Sequence, residues 1–148
     1  MKTLELTGVA LDWAVAKCEG MPERIVFGRG SVRDTGYCVE HPNGTRLFYV
    51  LRNIWERWID KCETHPWGAG VNVWTPSTNW AQGGPIIERE KIGFDFFHVP
   101  KDSTPFWNSG VAGDMRSYKG PTPLISAMRC YVASRLGDEV NIPAELED

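Results

Sequence analysis

The chain's four cysteines, three histidines and paired carboxylates are the groups that could do chemistry, and their spacing argues against most of it. His41, His65 and His98 are scattered, with no pair at the i, i+4 spacing that sets two imidazoles on one helical face for zinc. Cys18, Cys38, Cys62 and Cys130 are widely spaced and form no Cys-x-x-Cys, so they read as buried thiols rather than as metal ligands or a disulfide framework. Cys18 and Cys130 fall inside or at the end of helical patterns, where the helix dipole does not activate a thiolate. Glu88 and Glu90 flank Arg89 beside Lys91, the pattern of a solvated helix face rather than of an acid–base pair. Gly28-Arg29-Gly30-Ser31 follows a short apolar run but lacks both the third glycine of a dinucleotide loop and the Lys-Ser/Thr of a P-loop, so it reads as a turn. The expectation is no catalytic residue, no metal and no cofactor. What remains is binding.

The run Pro76 to Glu90 is the strongest candidate for it. Ser77 and Thr78 follow a proline and precede a helical pattern, where a hydroxyl can cap a first turn. Gly83, Gly84 and Pro85 then fall in the second turn. Pro85 cannot donate to the carbonyl of Ala81, so a kink or break is expected, with backbone bare enough for a ligand to approach. Asn79, Gln82 and Trp80 supply amides and an indole beside it. The competing reading is a kinked core helix whose glycines admit a neighbouring helix. Further along, Arg129 is a guanidinium among apolar residues. It either snorkels outward, pairs with an acid such as Glu88, or lines a ligand pocket with Asn79 and Gln82. The candidate ligand-binding set is therefore Ser77, Thr78, Asn79, Trp80, Gln82, Gly83, Gly84, Thr122 and Arg129.

The elements that would position these groups can be read in outline. A first helix runs from Thr7 as cap to Glu19, ended by Gly20, with Trp13 as boundary packing and Asp12 solvated. Ile25-Val26-Phe27 is a strand. Tyr37 to Glu40 and Leu47 to Leu51 flank an Asn43-Gly44 pair that favours a hairpin, although the 3.6 period from Thr45 also fits a helix. Asn53 to Glu63 is helical on either reading, with Trp55 and Trp58 on an apolar edge, and Val71 to Trp74 is a strand. After the central helix, Phe94 to Val99 forms a strand with Asp95, Phe97 and Val99 on one face. The Gly-, Pro-, Ser- and Thr-rich stretch from Lys101 to Gly120 suggests one or two short strands. Thr122 as cap and Pro123 at the first helical position open the last helix, which runs to about Leu136 and is apolar nearly all round. The acidic stretch 138–148 reads as a solvated tail.

Three blocks carry a resemblance: Leu6-Thr7-Gly8-Val9-Ala10-Leu11-Asp12-Trp13-Ala14-Val15-Ala16, Pro76 to Glu90, and Gly120-Pro121-Thr122-Pro123-Leu124-Ile125-Ser126-Ala127-Met128-Arg129-Cys130-Tyr131-Val132-Ala133-Ser134. In this order they resemble the NinX-like phage proteins, a family of unknown function similar to small phage domains described as α/β/α sandwiches. The resemblance implies a phage or prophage origin, hence the host cytoplasm, and a fold, but no reaction. Asn79 stands where those relatives commonly carry aspartate. The section from about Arg24 to Trp74 has no counterpart in the three blocks and reads as an insertion in a single domain spanning 1–137.

With 148 residues, 42% hydrophobic, one α+β domain is expected, a short antiparallel sheet flanked by helices. A net charge of −3 gives no basic field for free nucleic acid, and no apolar run is long enough to span a bilayer. The expected function is non-enzymatic capture of a small anionic or nucleotide-like molecule, such as a host defence signal. The alternative is a protein–protein interaction module that engages a host or phage protein through a Trp-rich surface. The apolar final helix and the Trp55/Trp58 edge further suggest a homo-oligomer.

Overall fold

The computed structural model of the chain describes residues 1–20, 74–98, 104–143 and 146, together with the backbone of strands at 23–27, 35–40, 46–50 and 71–72. Among these residues helices pack on a three-stranded antiparallel sheet, in a small α+β domain. The helices are α1 (Gly8–Cys18), α2 (Trp80–Glu90) and α3 (Pro123–Leu136). The sheet consists of β5 (Ile92–Phe97), β6 (Phe106–Val111) and β7 (Tyr118–Gly120), in the order β5-β6-β7. A second sheet has the order β1-β2-β3-β4, from β1 (Glu23–Phe27), β2 (Thr35–Glu40), β3 (Arg46–Val50) and β4 (Val71–Asn72). β2 and β3 pair antiparallel, which decides for strands over the helix weighed from Thr45. The turn between them and the helix expected at Asn53 to Glu63 lie outside the described residues.

α3 is the centre of the core. It contacts all three strands of the β5-β6-β7 sheet, α1, α2 and the 3-10 turn Thr3–Glu5. Its apolar circumference is thereby covered within one chain: Leu124, Ala127, Met128, Cys130, Tyr131, Val132 and Ala133 are all buried. This removes the surplus apolar surface that α3 was expected to offer an oligomer. Thr122 caps the helix by accepting from the Ile125 N–H at 3.1 Å, and Pro123 occupies the first turn without forfeiting a bond, as expected. α1 is buried from Ala10 to Ala16. Burying side chains the size of Leu11, Val15 and Met128 contributes roughly 1.5–3 kcal/mol each.

Five expectations need correction. Asp12 is not solvated: only 4% of it is exposed, because α1 turns that face inward against the chain entering α2. α2 is capped neither by Ser77 nor by Thr78 but by Asn79, whose Oδ1 accepts from the Ala81 N–H at 2.9 Å; the two hydroxyl residues belong to the preceding turn. The helix also runs through Pro85 without a break, since only the Ala81 carbonyl loses its partner. Among the described residues after α3, Val140, Ile142 and Leu146 are not solvated as a tail would be, although Asp138, Glu139 and Asn141 are exposed. Val140 exchanges backbone hydrogen bonds with Met1 (2.9 Å each way), and Val140, Ile142 and Leu146 join the hydrophobic core. At the end of α2, Lys91 takes the left-handed conformation (φ 54°), so β5 begins at Ile92, two residues before the expected start at Phe94.

Candidate functional site

The turn that leads into α2 is built from inside the protein. Pro76 and Ser77 are fully buried, and the Ser77 N–H donates to Asp12 Oδ1 at 2.8 Å. The Trp74 indole N–H donates to the Asp12 carbonyl at 3.0 Å, so α1 holds this entry segment at two points. Burial pushes the Asp12 carboxyl up to about 7, against the lowering effect of the Ser77 N–H and of the Ser77 hydroxyl nearby. That hydroxyl makes no hydrogen bond of regular geometry. On the outer side the turn is closed by Gln82, whose Oε1 accepts from the Thr75 N–H at 2.6 Å, and by the Thr75 carbonyl, which accepts from the Thr78 and Asn79 N–H groups.

Gly83 explains why a glycine is needed there. A Cβ at Gly83 would lie 2.4 Å from the Pro76 carbonyl oxygen and 2.6 Å from Leu124 Cδ2. The first turns of α2 and α3 therefore pack directly on each other. Gly84 faces outward, its nearest neighbour being the Trp80 ring at 4.0 Å. Gly120 repeats the device on β7, because a Cβ there would meet the Ser126 backbone nitrogen at 2.5 Å. Behind it the hydroxyls of Ser109 and Ser126 share a buried hydrogen bond of 2.5 Å, which pins β6 to α3.

Where the two first turns meet, the sheet ends in an aromatic patch. Trp80, the first residue of α2, lies 6.2 Å from Phe94; Phe94 is 5.7 Å from Trp107, and Trp107 is 5.2 Å from Phe96. These three sheet residues share the helix-facing side, because Phe96 pairs with Trp107 and Phe94 pairs with Ser109. Trp107 is in register with Gly120, two residues before the cap of α3. Trp80 is 51% exposed and Phe96 54%, so the patch is open to solvent. The positive ends of two helices stand beside it, which favours an anionic group in that neighbourhood.

The sequence-derived candidates divide accordingly. Thr78, Asn79, Trp80, Gly84 and Thr122 lie on the outer side of the two first turns, whereas Ser77, Gln82 and Gly83 are spent on internal contacts. Arg129 is on another flank of α3. Its Nε donates to the Leu6 carbonyl at 2.8 Å and its Nη1 to the Lys119 carbonyl at 2.7 Å. It is only 8% exposed, and its pKa is lowered by burial alone. The pair weighed with Glu88 does not form, and among the described residues no carboxylate pairs with Arg129. Phe94, Phe96 and Trp107 were not singled out from sequence, although the alternation of Phe94 and Phe96 is a readable period-2 signal.

Elsewhere the chemistry is structural. Tyr131 Oη donates to Glu19 Oε1 at 2.5 Å, Arg89 bridges Glu19 and Glu90, and Arg135 also reaches Glu90, tying the C-terminal ends of all three helices together. Burial pushes the Cys18 thiol up to about 12 and that of Cys130 up to about 11, so neither is a thiolate at neutral pH.

The family described as Bacteriophage P22, NinX matches residues 2–135. The chain belongs to this phage family. The matched range runs from the first turn of the chain into the last turn of α3, and the aromatic patch lies within it, as do the three blocks that carried the resemblance. No curated protein matches the chain. Among the described residues, no helix is long and apolar enough to cross a membrane.

Proposed function

We propose that this phage protein works by binding and not by catalysis, capturing a small anionic or nucleotide-like molecule, as a phage would to withdraw a host defence signal. The observation that carries the reading is the half-exposed aromatic patch at the meeting of two helix N-termini. A flat heterocycle can stack on Trp80 and Phe96, and each such stack contributes about 1–3 kcal/mol. Asn79, Gly84 and Thr122 then lie at the helix ends where the charged part of the ligand is favoured. Ser77, Gln82, Gly83 and Arg129 hold the frame in this reading: each is committed to contacts within the protein. The raised cysteine pKa values support the absence of nucleophilic chemistry at Cys18 and Cys130.

The same exposure of Trp80 and Phe96 favours a second reading, in which the patch is the hot spot of an interface with a host or phage protein. Melting the purified protein against a panel of cyclic and linear nucleotides separates the two. A small-molecule binder gains stability by mass action, about 2.7 kcal/mol at a ligand concentration of ~100 times Kd. No shift with any member of the panel would favour the interface.

A further inference from the structure

The other face of the β5-β6-β7 sheet bears Gly93, Asp95 and Phe97 on β5, Phe106, Asn108 and Gly110 on β6, and Lys119 on β7. Among the described residues no helix covers it: Asp95 and Lys119 are exposed and Phe97 is 43% exposed, while Phe106, Asn108 and Gly110 on the central strand are half-buried, with Asn108 Oδ1 buried and unpaired. Pairing sets Asp95 opposite Asn108 and Asn108 opposite Lys119, so one row across the sheet reads acid, amide, base. Beside it Phe97 stacks on Phe106 at 5.5 Å, with the Lys119 ammonium 4.5 Å from the Phe106 ring centre.

We infer that this face is a two-fold interface that takes a second copy of the same chain, sheet against sheet. The row of charges makes the face self-complementary about one axis and not the other. A two-fold axis running along the row would set Asp95 against Asp95 and Lys119 against Lys119. An axis running along the central strand β6 sets Asp95 of each chain against Lys119 of the other, twice, with Asn108 facing Asn108 and Phe106 facing Phe106. The pairing uses the opposite side of the sheet from Trp80, Phe94 and Trp107. It is therefore independent of ligand binding, which stays open in the dimer.

The strand spacing makes the face roughly 14 by 17 Å, well below the ~800 Å² per partner of a standard stable complex. The dimer is accordingly weak, with Kd on the order of 100 µM. Sedimentation equilibrium of the full chain from about 10 µM to 1 mM should show a monomer–dimer equilibrium. Asp95→Lys and Lys119→Asp should each weaken it at least about tenfold, because both contacts become repulsive. Mixing the two variants in equal amounts should restore the dimer, since each of the two contacts then joins a basic side chain of one variant to an acidic side chain of the other. Both positions are exposed, and unchanged melting temperatures would show that folding is intact. A wild-type protein that stays monomeric throughout, single variants that pair as tightly as wild type, or a mixture that fails to recover would each overturn the interface.

Discussion

Replacing Asp12 by asparagine should flatten the pH dependence of stability. In the unfolded chain this carboxyl titrates near its ordinary value of 3.8, and in the folded protein at about 7. Between those values the folded state holds a proton that the unfolded state has released, so this group's contribution falls as pH rises from the lower value through the higher. A difference of about three units corresponds to about 4 kcal/mol lost between roughly pH 4 and pH 8. Glu90 and Asp114 act in the opposite sense, because arginine partners hold their pKa values down and their contribution is lost in acid. Both are common to the two proteins, so they cancel in the comparison. The asparagine keeps an Oδ1 that can accept from the Ser77 N–H. The variant should therefore be more stable than wild type at alkaline pH, by up to about 4 kcal/mol, with the gap shrinking towards acid. Urea unfolding at several pH values measures this directly. Parallel profiles for the two proteins, or a variant destabilised equally at every pH, would refute the buried titration.

Other positions should respond with different signs. Gly83→Ala should cost about 1–3 kcal/mol or more, because its Cβ meets the Pro76 carbonyl, whereas Gly84→Ala should gain up to ~1 kcal/mol from helix propensity; paired thermal melts compare them. Arg129→Ala should leave the Leu6 and Lys119 carbonyls without their donor, at about 1–3 kcal/mol for each bond, and chemical denaturation would show it. Arg89→Ala, at a half-exposed network, should change stability by about 1 kcal/mol or less, and the effect should shrink in high salt.

Local rules made much of the fold legible. Thr122-Pro123 declared the start of α3, Gly20 adopts the left-handed conformation (φ 69°) expected past α1, and the hairpin strands follow from apolar runs around Asn43-Gly44. The misread features were settled by long-range contacts. Asp12 looks like a solvated acid until Ser77, 65 residues away, turns its N–H towards it. Val140 looks like part of an acidic tail until Met1 pairs with it. Arg129 stands out as a guanidinium among apolar residues, but nothing along the chain shows that backbone carbonyls, and not Glu88, receive its N–H groups. The site was half legible for the same reason: Asn79 and Trp80 stand out in sequence, while Phe94, Phe96 and Trp107 join them only once β5 and β6 are paired.

The claim that the patch binds a small molecule is tested most directly by calorimetric titration of the panel's best nucleotide into wild type and into Trp80→Ala. Trp80 is half exposed, so its loss should leave the unliganded melting temperature nearly unchanged while weakening binding by about tenfold to a hundredfold, the equivalent of one lost stack. Equal affinity in the two proteins, or no saturable heat with any nucleotide, would contradict it.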